Sequence, residues 1–278
     1  MSGTLYVVAT PLGNLGDLSQ RAAELLKTVP VVAAEDTRHS QALLHHLGAR
    51  PRLISFHAHS PEHRVETLIE ILRHGEDVAL VSDAGTPVVS DPGASLIQSV
   101  REAGIKVIPL PGPSAVTTAL SAAGLPADRY LFLGFLPRKG GERKRLLAQA
   151  AMSAWTVVFY EAPPRLADLL TDLAEVAGAD RHAVVARELT KMYEEFRAGT
   201  LAELAEHFQA VEPRGELTVL LSGVGVTPPV PTASPEEAAT MAADLLAGGQ
   251  TRKDAVRELV ERLGLSRNDA YRIVMELK

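Results

Sequence analysis

Short apolar, β-branched runs alternate with Gly/Pro turns and amphipathic stretches through most of the chain. Residues 5–9, 29–34, 53–56, 78–82 and 107–110 are such runs and predict strands. Between them, apolar positions three and four apart predict helices over 18–27, 40–47, 62–73 and 93–102. Strand and helix in alternation predict α/β architecture with a largely parallel sheet. Three of the strands run into turn chemistry: Thr10-Pro11-Leu12-Gly13-Asn14, Asp83-Ala84-Gly85-Thr86-Pro87 and Pro111-Gly112-Pro113-Ser114. Ligands of open α/β sheets bind outside the carboxyl ends of the strands, so these loops are the first place to look for a site.

A second unit starts near Gly124. Strands are expected there over 131–135, 156–160, 182–187 and 217–221, with helices near 143–151, 164–176 and 201–209. Residues 224–234, VGVTPPVPTAS, hold three prolines and no charge, and read as a linker. The remainder, 235–278, is helical in pattern, with breaks at Gly248-Gly249 and Gly264. Its last part has helix-turn-helix spacing: a helix, a glycine turn, Ser266 as N-cap and a second helix. The expected division is 1–118, 119–223, a linker over 224–234 and a small all-α domain over 235–278.

Composition narrows the function. At 278 residues, 46% hydrophobic and 22% charged, the chain has material for about two domains with sizeable cores. A net charge of −6 argues against a uniformly basic nucleic-acid binder, though a local basic patch remains open. With no cysteine, thiol catalysis, disulfides and cysteine-held metals are excluded. Aromatic residues make up only 4%, with Trp155 the single tryptophan, which counts against base stacking on an aromatic platform. Neither a signal-peptide pattern nor an apolar run of about 18 residues is seen, so a soluble, cytoplasmic protein without membrane contact is expected.

The usual phosphate-cradling motifs, Gly-x-Gly-x-x-Gly and the P-loop, are absent. The loop from Ser82 to Gly93 is the most informative segment. Gly85 allows close backbone approach and Asp83 can accept hydrogen bonds, while Asp91-Pro92 reads as a helix N-cap followed by proline. Glu35-Asp36-Thr37-Arg38 places two carboxylates, a hydroxyl and a guanidinium at one strand end, a grouping suited to proton transfer. The competing reading makes Asp36 or Thr37 a helix cap and Arg38 its surface partner. Seven of the nine histidines lie between His39 and His74, among them His57-Ala58-His59, but no metal-binding spacing appears and no metal is expected. His57, at a strand end, is a candidate proton carrier. Residues 138–145 carry five cations (Arg138, Lys139, Arg143, Lys144 and Arg145) and one acid, which favours phosphate contact over an ordinary solvated loop. Glu161 to Arg165 and Arg187 to Lys191 place further charges directly after strands, as the other wall of a cleft would.

Seven segments in order carry a resemblance: VATPLGNLGD (8–17), AAEDTR (33–38), ALVSDAGTPVVSDPG (79–93), PLPGPSA (109–115), GFLPRK (134–139), FYEAPPR (159–165) and ARELTKMYEE (186–195). Together they resemble the bacterial 16S ribosomal RNA ribose methyltransferases of the tetrapyrrole-methylase superfamily, over residues 4–222. The resemblance implies a two-domain class III methyltransferase fold with S-adenosyl-L-methionine between the domains, the small helical domain being an addition. It also implies a homodimer acting on the 30S ribosomal subunit or its 16S rRNA, at the 2′-oxygen of a decoding-region cytidine. Carried over by motif, cofactor contacts fall to Pro11, Leu12, Gly13, Asp83, Gly85, Thr86, Ser114, Ala115, Tyr160, Leu189 and Glu216.

Chemistry agrees with that implication. A sulfonium methyl is already activated, so the protein chiefly aligns donor and acceptor. A ribose hydroxyl benefits from a general base, worth about 10²–10⁴-fold. Glu35 or Asp36 is the first choice for that base and His57 the second, with Arg38 orienting the acids or holding a phosphate. The five cations of 138–145 would grip the RNA backbone. Two alternatives remain: a tetrapyrrole C-methyltransferase, whose usual Gly-rich opening loop is replaced here by residues 9–14, and a regulator that binds DNA through its helix-turn-helix.

Overall fold

The computed structural model describes every residue except Met1, His59, 226–234, Gly264, Ser266 and 277–278. Most of the expected linker, and the Gly264 turn and Ser266 cap of the expected helix-turn-helix, therefore lie outside the described residues. Two compact units are present, Met1–Leu221 and Ser222–Lys278.

The larger unit holds two five-stranded sheets. The first consists of β1 (Thr4–Val8), β2 (Val31–Ala34), β3 (Arg52–Ser55), β4 (Val78–Val81) and β5 (Lys106–Leu110) in the order β3-β2-β4-β1-β5. All its pairings are parallel, as the alternation predicts. Helices α1 (Gln20–Thr28), α2 (Thr37–His46), α3 (Glu62–Arg73) and α4 (Ala94–Glu102) supply the crossovers. Every residue of β2 and β4 is buried, because helices cover both faces of the sheet. Alternate residues divide between two cores: Val31, Ala33, Val78 and Leu80 pack with Leu68, Leu72 and Leu96 on one side. Val32, Ala34, Ala79 and Val81 pack with Leu26 and Leu44 on the other.

The second sheet is β6 (Tyr130–Phe135), β7 (Thr156–Glu161), β8 (His182–Arg187), β9 (Glu195–Thr200) and β10 (Leu217–Leu221), ordered β6-β7-β10-β8-β9. Only β6 and β7 pair in parallel; the other three pairings are antiparallel. Helices α6 (Gly141–Met152), α7 (Leu166–Ala177) and α8 (Leu201–Ala210) bury their leucines against one face. The opposite face is covered by α5 (Ala115–Ala122), whose Val116, Ala119 and Leu120 join Leu12, Val158, Val184, Leu189 and Leu220 in one apolar seam. That seam welds the two sheets together. The expected boundary between residues 118 and 119 falls inside α5, which is one unbroken helix.

Two elements have no counterpart in the sequence pattern. β9, Glu-Phe-Arg-Ala-Gly-Thr, is a charged edge strand held by its ladder to β8 rather than by an apolar run. α5 is rich in threonine and alanine, and the seam, not its own periodicity, fixes it. In the smaller unit α9 (Pro235–Ala247), α10 (Arg252–Leu263) and α11 (Arg267–Glu276) share a core of Ala242, Ala255, Leu259, Ala270 and Val274. The break at Gly248-Gly249 lies between α9 and α10 as expected, with Gly249 at φ +86°.

Candidate active site

The order of the first sheet sets β4, β1 and β5 side by side, so the loops after these strands meet at one end. Thr10 and Gly85 pair as an isolated antiparallel bridge, and Thr10 Oγ1 donates to the Ser82 carbonyl at 3.1 Å. Thr86 Oγ1 donates to the Pro113 carbonyl at 2.9 Å, tying the loop after β4 to the loop after β5. Three loops that are far apart in sequence thus become one rigid wall. The loop after β4 is also strained: Val88 and Ser90 sit at φ +76° and +66°, a region that disfavours a β-branched residue in particular.

A cavity of about 420 Å³ opens between this wall and the second sheet, within the range of small-molecule sites. From the first half it is lined by Leu12, Glu35, Asp83, Gly85, Thr86, Asp91, Ser114 and Ala115. Phe135, Tyr160, Glu161 and the stretch from Gly215 to Thr218 line it from the second half. A second hollow of about 500 Å³ holds Pro11, Gly13, Ser40 and Lys191 and shares Leu12, Asp83, Ala84 and Glu216 with the first. The structure therefore brings together ten of the eleven residues expected to contact the cofactor. The exception is Leu189, which is buried in the seam behind the wall.

The cleft is acidic. Burial, reinforced by Asp91 and then Asp83, raises the Glu35 carboxyl above the usual range. Asp91 is raised as well, by burial and the nearby Asp83, against the opposing hydrogen bond of Ser82. Burial and then Asp91 push the Tyr160 hydroxyl up to about 12. Glu161 is 2% exposed; its Oε1 accepts the Ala162 N–H at 2.9 Å and forms an ion pair with Arg165 Nε at 3.2 Å. Its Oε2 is buried with no hydrogen-bond partner. Lys191 closes one side: its Nζ lies 2.9 Å from Glu188 Oε1 and 3.1 Å from Glu216 Oε2, and its stem crosses Gly13 so closely that a Cβ there would collide.

Several expectations are corrected. Asp36 caps α2, accepting the Arg38 N–H at 2.8 Å, and pairs with Arg38 Nη2 at 2.9 Å. Those hydrogen bonds to Arg38 hold its carboxyl at about 2, which fits a helix cap paired with an exposed guanidinium, the competing reading of this segment. Asp91 is not the cap of α4, which begins after Gly93; it faces the cleft instead. His57 follows β3, one of the two edge strands of the first sheet, and lines neither hollow. Arg143 is only 8% exposed, with its guanidinium on Asp172 Oδ2 (2.6 and 2.9 Å) and the Pro137 carbonyl, so it anchors α6 to α7 and is not a free cation for a phosphate. Arg138, Lys139, Lys144 and Arg145 are exposed. Sequence reasoning missed Asp91, Phe135 and the clasp of Lys191; the signal for Asp91 was its place in the same loop as Asp83 and Gly85. Among the described residues no group of three His, Asp or Glu side chains is placed to hold a metal ion.

A cleft at the strand ends of a parallel sheet, walled by a second mixed sheet and lined by several carboxylates, is the arrangement of the class III methyltransferases. Residues 4–205 match the tetrapyrrole (corrin/porphyrin) methylases. The chain is 44% identical to a ribosomal RNA small subunit methyltransferase I from Synechocystis sp., covering 99% of each chain. It is 50% identical to the protein of that name from Xylella fastidiosa over 80% of this chain and 82% of the relative. The chain belongs to the tetrapyrrole methylase family, and within it to the ribosomal RNA small subunit methyltransferase I group. The fold is shared with uroporphyrin-III C-methyltransferase from Thermus thermophilus bound to S-adenyl homocysteine (TM-score 0.58, 22% identity, covering 79% of this chain and 97% of that one). It is shared too with diphthine synthase (TM-score 0.62, 17% identity, covering 79% and 90%). The fold alone does not name the methyl acceptor, which must be read from the site.

Proposed function

We propose that this chain transfers a methyl group from S-adenosylmethionine to the ribose 2′-oxygen of a decoding-region cytidine in 16S rRNA, within or derived from the 30S subunit. The observation that carries the reading is the partly buried carboxyl of Glu35 in the lining of a cavity built by both sheets. S-adenosylmethionine fits the donor set: the carboxylates of the cleft suit a cationic ligand, and the buried Glu161 Oε2 lacks a donor. Leu12, Asp83, Gly85, Thr86, Ser114, Ala115, Tyr160 and Glu216 would hold it, and when bound it supplies an activated sulfonium methyl.

The chain's own part is positioning and proton transfer. Glu35, at the end of β2 in the cavity lining and raised by partial burial, is the carboxylate assigned to accept the 2′-hydroxyl proton, since a base is more effective the nearer its pKa lies to working pH. Asp83 accepts the Asp36 backbone N–H at 3.0 Å, which locks the end of β2 and with it Glu35 against the loop after β4. Exposed Arg138, Lys139, Lys144 and Arg145 supply the charge that an RNA backbone needs. A homodimer in the cytoplasm belongs to the same proposal; among the described residues no helix is long and apolar enough to cross a membrane.

Transfer of labelled methyl from S-adenosylmethionine to 30S subunits, free 16S rRNA and a porphyrinoid tests the reading. Label in the RNA, resistant to alkali at one ribose, is the expected result. Label in the porphyrinoid alone, or in none of the three, overturns it.

A further inference from the structure

The edge strand β6 carries a bulge. Its pairing with β7 runs Phe132↔Val158 and then Gly134↔Phe159, so Leu133 is an extra residue. Successive residues of a strand alternate faces, and Phe132 and Phe135, three apart, would otherwise point to opposite sides. The added residue restores parity. Both rings now meet Tyr160, at centroid distances of 5.0 and 5.5 Å. Gly134, at φ +60°, makes the kink, and a Cβ there would lie 2.8 Å from Ser90 Oγ, so the kink also admits the strained loop after β4.

The result is a column of three rings running from the seam to the surface. Phe132 is packed on the seam and Tyr160 is half-buried. Phe135 lies on the rim of the cleft with 55% of its surface exposed. Its orientation is fixed from behind by Tyr160, which removes much of the ordering cost of stacking something on its open side. Arg138 and Lys139, both exposed, follow within four residues. An aromatic face at a cavity mouth with cations beside it is the recognition set for an unpaired nucleotide, the base on the ring and a phosphate on the guanidinium. The low aromatic content of the chain hides this, because recognition of one splayed nucleotide needs one ring rather than many.

We propose that Phe135 is the stacking platform for the base of the nucleotide whose ribose enters the cleft, with Arg138 taking a neighbouring phosphate. The proposal rests on the RNA-methylating reading above. It makes Phe135 a substrate-binding residue that leaves the cofactor untouched.

The test compares wild type with Phe135→Ala, Phe135→Leu and Phe135→Trp. Methyl transfer to the substrate that wild type labels is measured alongside S-adenosylmethionine binding by calorimetry and oligomeric state by sedimentation. Alanine and leucine are expected to lower kcat/KM for the RNA substrate by about tenfold or more, chiefly through KM, while tryptophan stays within about threefold of wild type. Cofactor affinity and oligomeric state stay unchanged throughout. A leucine variant as active as wild type overturns the platform, because leucine keeps the apolar bulk and loses the π-face. So does a parallel loss of cofactor affinity, which would make the ring part of the cofactor pocket, or a change of oligomeric state, which would make it an interface residue. A wild type that labels no RNA removes the underlying reading before any variant is compared; an active wild type with indifferent Phe135 variants removes the platform alone.

Discussion

Thr10 and Gly85 exchange both backbone hydrogen bonds, N–H to O at 2.9 and 3.0 Å, and so fasten the loop after β1 to the loop after β4. Gly85 holds this bridge at φ +81°, and a Cβ on it would stand 3.1 Å from Leu12 Cδ2. The two loops belong to the same wall of the cavity, and their junction admits a side chain poorly.

Gly85→Ala is therefore expected to lower stability by about 1–2 kcal/mol, the cost of the left-handed conformation for a residue with a Cβ. Cofactor affinity should fall with it. Thermal denaturation and calorimetric titration with S-adenosylmethionine read the two effects; an alanine variant with wild-type affinity would show that the bridge does not shape the cavity.

Glu35 and Asp36 should separate cleanly. Glu35→Gln is expected to reduce kcat by about 10²–10⁴-fold with little change in cofactor affinity. Because the Glu35 carboxyl is raised by burial and by Asp91 and Asp83, the rate should fall as pH drops through a value above the ordinary carboxylate range. Asp36→Asn should leave kcat close to wild type. The Asp36 value of about 2 is below its unfolded value of about 4, so its contribution to stability is complete above the latter and is lost as pH falls toward the former. Equal kinetic losses in both variants would contradict this division.

Arg143 and Arg138 lie five residues apart and should behave oppositely. Removing the Arg143 guanidinium strands a pairing with Asp172 and leaves the Pro137 carbonyl without its donor, so Arg143→Ala should cost about 2 kcal/mol in denaturant unfolding. Arg138→Ala should scarcely alter stability, and should weaken binding to RNA and shallow its salt dependence by about one unit of slope. A salt slope unchanged by Arg138→Ala would place the phosphate elsewhere.

Lys191 joins the two halves of the cleft through its stem on Gly13 and its ammonium between Glu188 and Glu216. Lys191→Met keeps the stem and loses the ion pairs, leaving two carboxylates facing each other. Weaker cofactor binding with little loss of global stability is expected, whereas Gly13→Ala should displace the stem and weaken binding with the lysine intact. Calorimetry on both variants tests whether the clasp or the charge matters.

The sequence by itself determined the layers of the fold. Fully apolar runs such as Val31–Ala34 and Val78–Val81 are legible as strands buried on both faces, and the amphipathic stretches between them as the helices that cover those faces. It also marked the loops that form the site, because glycine, proline and aspartate at strand ends are local signals. Tertiary structure alone decided what those signals do. Asp36 and Asp91 carry the same side chain in similar loops, yet one is satisfied by the helix it caps and the other is desolvated in a cleft built by a distant sheet. Arg143 reads like its four cationic neighbours until α7 brings Asp172 against it. The bulge that aims Phe135, the partial burial of Glu35 and the placing of β9 and α5 all depend on contacts between segments remote in the chain. Periodicity records which face of an element is buried, and cannot record what buries it.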